Sequence, residues 1–439
     1  MADSKRRKTR VECDPLTSKS YLSPKSPSFP DYFHLMLLTG RILLQHSTTT
    51  ERVHQTIQQL AEKFGVEVRV YCEYEAIKLT VKSENEYSSH FSRPITSIAV
   101  NMALITQVFL SIEKFQQNRL TLTELIQKLE KIDKYPPIYY PRWFIILMLG
   151  LTGASLARIF QGDWASFVIT GIATAVGVIL RQELGKRHFN PFLLNFLAAF
   201  LGGCIGGVAG PLGWSSTPNI CFLIPSMMLV PGVHLINGVL DLVENHIPMG
   251  MARLEYSLVI LSSIAFGLLL STTVTNALLP VSNPVSPLPL FEDVIFAGLA
   301  AMGFAIFFNV PPKMLWACIV CGMVGHGVRW LCIDHGPGII WGNLIASAVV
   351  GTMALYFSNR FHAPPAVIAF GAVVGIVPGI FAFQAASGLI QIMTIPENAS
   401  SLLLATTLGM MTKAFLMTLA IPIGLAIPIL LRFQRQPNF

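Results

Sequence analysis

Charge is scarce in this chain. Only 13% of its 439 residues are charged, whereas 52% are hydrophobic, and the mean hydropathy is +0.57. Soluble globular domains carry about 25% charged residues, so this composition excludes that class and indicates a polytopic membrane protein. Most acids and bases lie in residues 1–142, and the rest of the chain is a series of apolar runs separated by short polar loops.

Several familiar signals are also missing. The basic stretch near the N-terminus is not followed by the apolar core of a signal peptide, so the N-terminus is expected to stay in the cytoplasm. The seven cysteines are scattered and suggest no disulfide framework, and Cys318 and Cys321 are interpreted as packing residues. The sequence has no GxSxG, HExxH or P-loop pattern, so no catalytic site, cofactor, metal or nucleic-acid partner is predicted.

The N-terminal region is predicted to hold a disordered basic tail (1–30) and a small cytoplasmic α/β domain (31–136). Periodicity predicts helices over 31–46, 50–64, 95–117 and 121–134, and alternation predicts a β-hairpin from 66–72 and 75–82. A polar cluster near the first helix junction invites a nucleophile or a metal, but no motif supports either. Its members are His34, His46, Thr48, Thr49, Glu51 and His54.

Ten apolar runs are long enough to cross a hydrocarbon core of about 30 Å. They lie near 143–160, 163–180, 191–210, 219–242, 256–279, 291–309, 313–333, 337–357, 364–392 and 402–431. With the N-terminus inside, nine basic residues flank the cytoplasmic ends of the runs, whereas only Arg158 and Arg329 flank the outer ends. This bias follows the positive-inside rule and predicts a multi-pass protein of the cell (inner) membrane with both termini cytoplasmic.

Two Pro-Gly pairs interrupt apolar runs at a spacing of 147 residues, at Pro231-Gly232 and Pro378-Gly379. The same offset relates Pro218 to Pro365 and Asn237 to Gln384. The sequence therefore predicts two halves of five helices each (137–279 and 293–439) joined by an outward linker (280–292). Because five is odd, the halves enter the membrane from opposite sides as an inverted repeat, which is typical of secondary transporters.

Glycines dominate the third apolar run. Gly202, Gly206 and Gly210 recur every four residues and are predicted to let neighbouring helices approach closely.

Polar residues follow the first break. His234, Asn237, Asp241 and Glu244 are spaced by three or four residues, so they share one helical face. We predict substrate binding by Pro231, Gly232, His234, Asn237, Pro378, Gly379, Gln384 and Lys413. Asp241 and Glu244 approach the cytoplasmic interface, where proton coupling and an interfacial anchor are equally good interpretations.

Lys413 lies near the middle of the last apolar run, where an unpaired charge is costly. It is expected to face the interior and to meet either the polar stripe after the first break or an anionic group of the substrate. His326 and Arg329, near the outer end of the seventh run, fit an outer gate or an ordinary interfacial location.

Longer stretches carry a resemblance to a known family. The pattern LLTGRILLQHSTTTERVHQTIQQLAEKFGVEV, the segment LVPGVHLINGVLDL, and GFAIFFNVPPKMLWACIVCGMVGH with VPGIFAFQA resemble the threonine/serine exporter family. The resemblance extends from about residue 35 to residue 430. It implies a cytoplasmic domain, ten spans in two five-helix halves, and export of small amino acids driven by an ion gradient.

These observations predict a proton-coupled secondary exporter of threonine, serine or similar amino acids that works by alternating access within the lipid bilayer. Export of short dicarboxylates such as succinate is the alternative. A membrane-anchored hydrolase or regulator that acts through its soluble domain is the alternative of a different class. Homo-oligomerisation is left open.

Overall fold

A computed structural model describes residues 29–83, 86–95, 98–277, 288–336, 338–394 and 399–435. Most of the predicted tail (1–30) and of the predicted linker (280–292) lies outside the described residues. Helices account for nearly all of the described chain, and the strands are confined to the N-terminal region.

The N-terminal region, residues 29–134, combines four helices with a three-stranded antiparallel sheet in the order β1-β2-β3. Its elements are α1 (Phe29–Gln45), α2 (Thr50–Phe64), β1 (Glu67–Cys72), β2 (Ile77–Ser83), β3 (Glu86–Phe91), α3 (Met102–Gln116) and α4 (Leu122–Lys134). The predicted hairpin is confirmed, with Val70 opposite Leu79. The third strand was not predicted, because its sequence EYSSHF lacks an apolar alternation.

Local signals explain where these helices begin and end. Helix α2 ends at Gly65, whose φ of 69° lies in the left-handed region that glycine adopts without steric cost. Helix α4 begins with a capping box between Thr121 and Glu124. The helix predicted from residue 95 begins only at Met102, because the side chain of Asn101 caps it by accepting a hydrogen bond from the N–H of Leu104.

Twelve helices follow in the described part of the chain. They are α5 (Arg142–Ile159), α6 (Trp164–Lys186), α7 (Pro191–Gly207), α8 (Pro218–Met227), α9 (Gly232–Val243), α10 (Ile247–Thr275), α11 (Leu290–Phe307), α12 (Leu315–Asp334), α13 (Gly338–Phe361), α14 (Pro365–Val373), α15 (Gly379–Thr394) and α16 (Ser401–Arg435). Short 3-10 turns precede α12 (Pro312–Met314) and follow α14 (Val374–Ile376).

Eight segments of the described chain are long and apolar enough to cross a membrane, and α8 with α9 makes a ninth if the bent pair is one span. The pair bends by 61° at the first Pro-Gly break, so the predicted run 219–242 is two helices. The second break is straighter, and Pro365–Met393 counts as one candidate span. Helix α7 is apolar but has only 17 residues. The ten-span arrangement remains a prediction.

Corresponding helices recur along the chain at nearly constant spacing. Helix α11 begins and ends 148 residues after α5, and the segment Pro312–Asp334 begins and ends 148 residues after α6. Helices α14 and α15 begin 147 residues after α8 and α9. Packing detail also corresponds, since a Cβ built on Gly267 would overlap the carbonyl oxygen of Phe196 and one built on Gly424 would overlap that of Leu344, although these two glycines are 157 residues apart.

The N-terminal region packs on one end of the long helices, which we call the domain side. Tyr74 from this region stacks near Tyr256 of α10, with ring centroids 5.9 Å apart, and His362 after α13 lies 3.3 Å from Glu113 of α3. The opposite end is the far side, where Arg158 at the end of α5 pairs with Glu292 at the start of α11 at 2.7 Å.

The glycines of α7 serve close packing, as predicted. A Cβ added to Gly206 would overlap the backbone carbonyl of Cys221 in α8 and lie 2.9 Å from the Cα of Phe222. A Cβ added to Gly202 would lie 3.1 Å from the side chain of Pro225, and one added to Gly210 would lie 3.2 Å from that of Pro218, which are tight contacts but not overlaps. Gly206 therefore marks the closest helix crossing of this stripe.

We expect Gly206→Ala to lower the free energy of unfolding by about 1 to 3 kcal/mol, because backbone atoms at the crossing cannot move aside as a flexible side chain can. The matched control is Gly185→Ala, since nothing lies within 4 Å of a Cβ at that position in α6. Thermal unfolding in detergent micelles compares the two. Equal midpoints for both variants would contradict the close approach of α7 and α8.

Candidate functional site

The two Pro-Gly breaks lie against each other. A Cβ built on Gly232 would lie 3.3 Å from Val374, and one built on Gly379 would lie 3.2 Å from Val230. These contacts are reciprocal, because Val374 and Val377 follow Met227 and Val230 by the same 147 residues that separate the two glycines. The two breaks thus meet through equivalent surfaces.

The breaks also have the same backbone hydrogen bonds. At each break the glycine N–H donates to the carbonyl two residues earlier, at 2.8 Å, spanning Pro231 in one half and Pro378 in the other. The small space between them, about 10 Å³, has apolar walls. The centre between the breaks is therefore too small for a substrate, and a polar ligand has to bind beside it.

A larger space, which we call the break cavity, opens on the domain side of the first break and has a volume of about 210 Å³. Pro231 and Gly232 form part of its wall, and its polar lining residues are Arg181, Asn195, His234 and Tyr256. Two buried atoms there, Asn195 Oδ1 and His234 Nε2, make no hydrogen bond to any part of the chain that the structure describes. A cation, a free acceptor and an imidazole nitrogen are thus available to a small polar ligand.

The second half repeats part of this arrangement. Arg329 and Asn343 follow Arg181 and Asn195 by 148 residues, and the Nε of Arg329 donates to Oδ1 of Asn343 at 2.9 Å. The corresponding pair in the first half is not joined, since Asn195 Oδ1 has no described partner. The arginine and asparagine are bonded to each other in only one half.

Lys413 corrects one sequence expectation. Its side chain is exposed on α16, and its Nζ lies 6.0 Å from the ring centre of Phe381 in α15. It does not meet the polar stripe of α9, because Asp241 pairs with Arg253 instead.

Gln384 is buried, with 8% of its surface exposed. His326 faces Asp293 at 3.3 Å on the far side.

The polar stripe of α9 binds the turn between α1 and α2, residues 46–49, which we call the α1–α2 turn. Asn237 donates from Nδ2 to the carbonyl of Ser47 at 2.6 Å, and Arg253 donates from Nη2 to the carbonyl of Thr48 at 2.8 Å. The carboxylate of Asp241 accepts from the N–H of Thr50 at 2.9 Å. Asn237 and Asp241 therefore hold the N-terminal region in this conformation.

Asp241 acts as the N-terminal cap of α2 from another part of the chain. The side chain of Thr49, at the ordinary cap position, makes no capping hydrogen bond. The first N–H groups of a helix lack partners within the helix and carry partial positive charge, so a carboxylate there is stabilised. Asp241 is also paired with Arg253 at 3.1 Å, and both side chains are at most 2% exposed.

The α1–α2 turn has a conformation that presents its carbonyls outward. Ser47 has a φ of 65°, and the N–H groups of Ser47 and Thr48 bond back to the carbonyls of Leu44 and Leu43. This is a Schellman motif, which ends α1 and leaves the carbonyls of Ser47 and Thr48 free for Asn237 and Arg253. This motif could not be predicted from the sequence, because serine rarely adopts a left-handed conformation.

Histidines beside the turn are held in their neutral form. Burial lowers the pKa of His46 to about 4. Burial and the neighbouring His246 lower the pKa of His54. Neither imidazole therefore adds a positive charge beside Arg253 at physiological pH.

Two cavities occupy corresponding places at the two ends of the helices. The far-side cavity, about 770 Å³, is formed by α7, α8, α10 and α15, and its lining includes Pro218, Ser387 and Gln391. The domain-side cavity, about 400 Å³, is formed by α9, α13, α14 and α16, and its lining includes Leu240, Glu244 and Pro365. These residues correspond across the two halves at an offset of 147. Only the domain-side cavity is also lined by residues 47–49 of the α1–α2 turn.

The N-terminal region has a second attachment, to the loop between α11 and α12. The N–H groups of Met102 and Ala103 donate to the carbonyls of Phe308 and Asn309, at 2.9 and 3.0 Å. Asn309 also donates from Nδ2 to Oδ1 of Asn101 at 2.8 Å. The N-terminal region thus contacts both series of corresponding helices, the first series being α5 to α10 and the second α11 to α16.

Sequence reasoning missed the roles of Arg253 and Arg181, which it treated only as charges flanking membrane runs. Arg253 lies six residues after the first residue of the apolar helix α10. A charge at that depth indicates a buried partner. Arg181 and Asn195 could have been found from the repeat, because Arg329 and Asn343 follow them at the same offset of 148 residues.

We expect removal of one member of the buried pair, by Asp241→Asn or Arg253→Met, to cost about 3 to 5 kcal/mol of stability, because each leaves the other charge buried and unpaired. The double variant should recover part of this loss. Thermal unfolding in detergent measures both effects. As a control, Glu183→Gln breaks only exposed pairs, with Arg142 and with Lys186, and should change little. Equal losses in all variants would rule out a special role for the buried pair.

Comparison with known proteins gives the chain its family. A family profile described as "Putative threonine/serine exporter" matches residues 34–275, and one described as "Threonine/Serine exporter, ThrE" matches residues 293–431. No solved structure matches the chain.

Curated relatives match at low identity. The chain is 28% identical over 242 residues to "Probable succinate transporter subunit YjjP" of Escherichia coli, covering 55% of this chain and 93% of that protein. The protein of the same name from Klebsiella aerogenes is 28% identical over 233 residues, covering 53% of this chain and 89% of its own length. An uncharacterized protein of Haemophilus influenzae is 23% identical over 355 residues, covering 81% of this chain and 80% of that protein.

The long apolar helices make the chain a multi-pass membrane protein. The first family profile alone covers 55% of its length, and the second covers most of the remainder. The chain belongs to the threonine/serine exporter family, which makes it a transporter and not an enzyme.

Proposed function

We propose that this chain is a secondary active exporter of small amino acids such as threonine and serine. Its family supports export of this substrate class. The nine bases that flank one set of helix ends, against two at the other, support a cytoplasmic location for the N-terminal region and for both termini. The cell (inner) membrane is the proposed location.

The observation that carries the proposal is the pair of corresponding cavities at opposite ends of the helices, separated by the apolar contact of the two breaks. Two halves of five helices, inverted relative to each other, would produce such a pair. If each half in turn adopted the conformation that the other half now has, the substrate path would open first to one side of the membrane and then to the other. This is alternating access, with the breaks as the closed centre.

The two ends are in different states. The far-side cavity is about 770 Å³ and the domain-side cavity about 400 Å³, with the α1–α2 turn in its wall. We assign this conformation to a state open toward the outside. Entry of substrate from the cytoplasm then requires the turn to leave Asn237, Asp241 and Arg253.

The break cavity is the proposed substrate site on the cytoplasmic side. The guanidinium of Arg181 suits the carboxylate of an amino acid, because its planar donors match two carboxylate oxygens. Asn195 Oδ1 would accept from the ammonium group, and His234 Nε2 would bond the hydroxyl of threonine or serine. Pro231 and Gly232 form the wall beside them.

Gln384, Lys413, Pro378 and Gly379 are proposed to serve the substrate on the other side of the centre. Lys413 is exposed on α16 beside Phe381 of the second break's helix and lines none of the described cavities, so it would meet a carboxylate only after a change of conformation brings it to the substrate path. Asn237 would take part only after the α1–α2 turn has left, since its Nδ2 is bonded to Ser47.

Export of a short dicarboxylate such as succinate is the second candidate. The name of the Escherichia coli relative supports it, as do two cations for its carboxylates, Arg181 in the break cavity and Lys413 beside Phe381. A dicarboxylate has no ammonium group, so Asn195 Oδ1 would lack a ligand donor.

The deciding experiment uses the full chain in liposomes with an imposed pH gradient. We expect labelled threonine or serine to move faster than through empty liposomes, and labelled succinate to move no faster than the background. Movement of succinate alone would establish the second candidate. Movement of none of the three would refute the proposal.

We expect Arg181→Gln to reduce threonine flux at least about tenfold, since a hydrogen bond to a charged group contributes about 1.5 to 3 kcal/mol. Arg187→Gln is the matched control, because Arg187 lies at the end of the same helix and is exposed. Initial flux rates are compared at equal protein per liposome. Similar flux in the two variants would remove Arg181 from the site.

Glu244 is the stronger of the two proposed proton-coupling residues, because it lines the domain-side cavity, whereas Asp241 is held in an ion pair. Glu244→Gln is expected to abolish flux driven by a pH gradient while leaving exchange of labelled for unlabelled substrate, which needs no net proton movement. Glu255→Gln, at an exposed position of α10, serves as the control. Normal gradient-driven flux in Glu244→Gln would exclude this role.

A further inference from the structure

Glu51, His54 and His246 come together where the N-terminal region meets the membrane helices. Glu51 and His54 lie one turn apart on α2, so their side chains leave the same face of the helix. His246 lies in the short connection between α9 and α10. Each residue offers one ligand atom, and these atoms lie within 4.8 Å of one another.

The contacts among the three are already close. His246 Nε2 lies 3.0 Å from Glu51 Oε2, and the ring centres of His54 and His246 are 4.7 Å apart. All three residues are half-buried. Four ligands at about 2.0 to 2.2 Å from a zinc ion are about 3.3 Å apart in a tetrahedron, so small side-chain rotations would bring these atoms to coordination distance.

Atoms with unfilled hydrogen-bonding capacity surround the cluster. Nε2 of His54 is buried and makes no hydrogen bond to the described residues. Oε2 of Glu244 is likewise buried without a hydrogen bond to the described residues. Glu244 lies two residues before His246 and lines the domain-side cavity together with Glu51. A cation between these groups would supply the missing partner for a buried imidazole and would offset two neighbouring carboxylates.

We propose that Glu51, His54 and His246 bind a divalent transition-metal ion of the zinc type. Two imidazoles and one carboxylate form a common ligand set for such ions, whereas Mg²⁺ and Ca²⁺ prefer oxygen ligands. The spacing of Glu51 and His54 by three residues is also the spacing that carboxylate and imidazole ligands use on the helices of di-metal bundle proteins.

The ion would fasten the N-terminal region to the membrane helices. Two ligands belong to α2 and the third to the connection that follows α9, so the metal joins segments nearly 200 residues apart. Glu51 directly follows Thr50, whose N–H is bound by Asp241. A bound ion therefore holds the α1–α2 turn in the domain-side cavity.

The binding test uses the tag-free full chain in detergent micelles, stripped with a chelator and titrated with ZnCl₂ by calorimetry. We expect one site per chain, with no comparable binding of Mg²⁺ or Ca²⁺. His54→Ala and His246→Ala should each weaken Zn²⁺ binding by at least about tenfold, which is what loss of even an outer partner of a metal ligand costs. His34→Ala is the control, since His34 pairs with Glu130 on the exposed surface and should leave binding unchanged.

Cobalt supplies an independent readout that does not depend on folding stability. Co²⁺ in place of Zn²⁺ should give the visible absorption of a four-coordinate ion, and Glu51→Gln should change that spectrum in a protein that elutes as the wild type does. Absence of a one-to-one site, or equal affinity in wild type and in both histidine variants, overturns the proposal and leaves an ordinary histidine–carboxylate pair.

The consequence for transport rests on the proposed function and is tested separately. Zn²⁺ should slow threonine flux in wild-type liposomes and not in His54→Ala, which keeps the pair of His246 and Glu51. Slowing of equal size in both would refute the fastening role. If neither protein transports threonine, the proposed substrate fails while the calorimetric result still decides the metal site.

Discussion

The ion pair of Asp241 and Arg253 determines how the N-terminal region meets the membrane helices. Two charges buried to this degree cost several kcal/mol each in lost hydration, and their mutual attraction offsets the cost only when hydrogen bonds satisfy their remaining atoms. The α1–α2 turn supplies those bonds, through the N–H of Thr50 and the carbonyl of Thr48. The pair and the turn therefore stabilise each other, and neither is in a favourable environment alone.

The ion pair of Asp241 and Arg253 also explains why the domain-side cavity and the far-side cavity differ. The helices of the two series correspond in order and in several close contacts, so on their own they would form similar cavities. The N-terminal region is attached at one end only. It lines part of the domain-side cavity together with Leu240 and Glu244, whereas the corresponding Ser387 and Gln391 line a far-side cavity that the N-terminal region does not reach.

The sequence predicted what depends on local physics. The bounds of α2 were predicted correctly because glycine at residue 65 is required for the left-handed end of that helix, and the packing role of Gly206 followed from its spacing alone. The Pro-Gly breaks were found, but their apolar contact was not, since proline and glycine indicate a broken helix and not its neighbour. Thr50, which donates to Asp241, and Glu51, which pairs with His246, lie about 190 residues earlier in the chain, a distance at which no periodic pattern gives information.

The reciprocal contact of the breaks also bears on how the chain is made. Gly232 has Val374 and Val377 as neighbours, so the helices of the first series enter the bilayer before the surface that completes their centre has been synthesised. Until then the exposed face around Gly232 contacts lipid or the translocation machinery. The middle of the molecule consequently cannot close before residues 374–377 have been made, and two separate chains that each carried one series of helices could close on each other through the same surface.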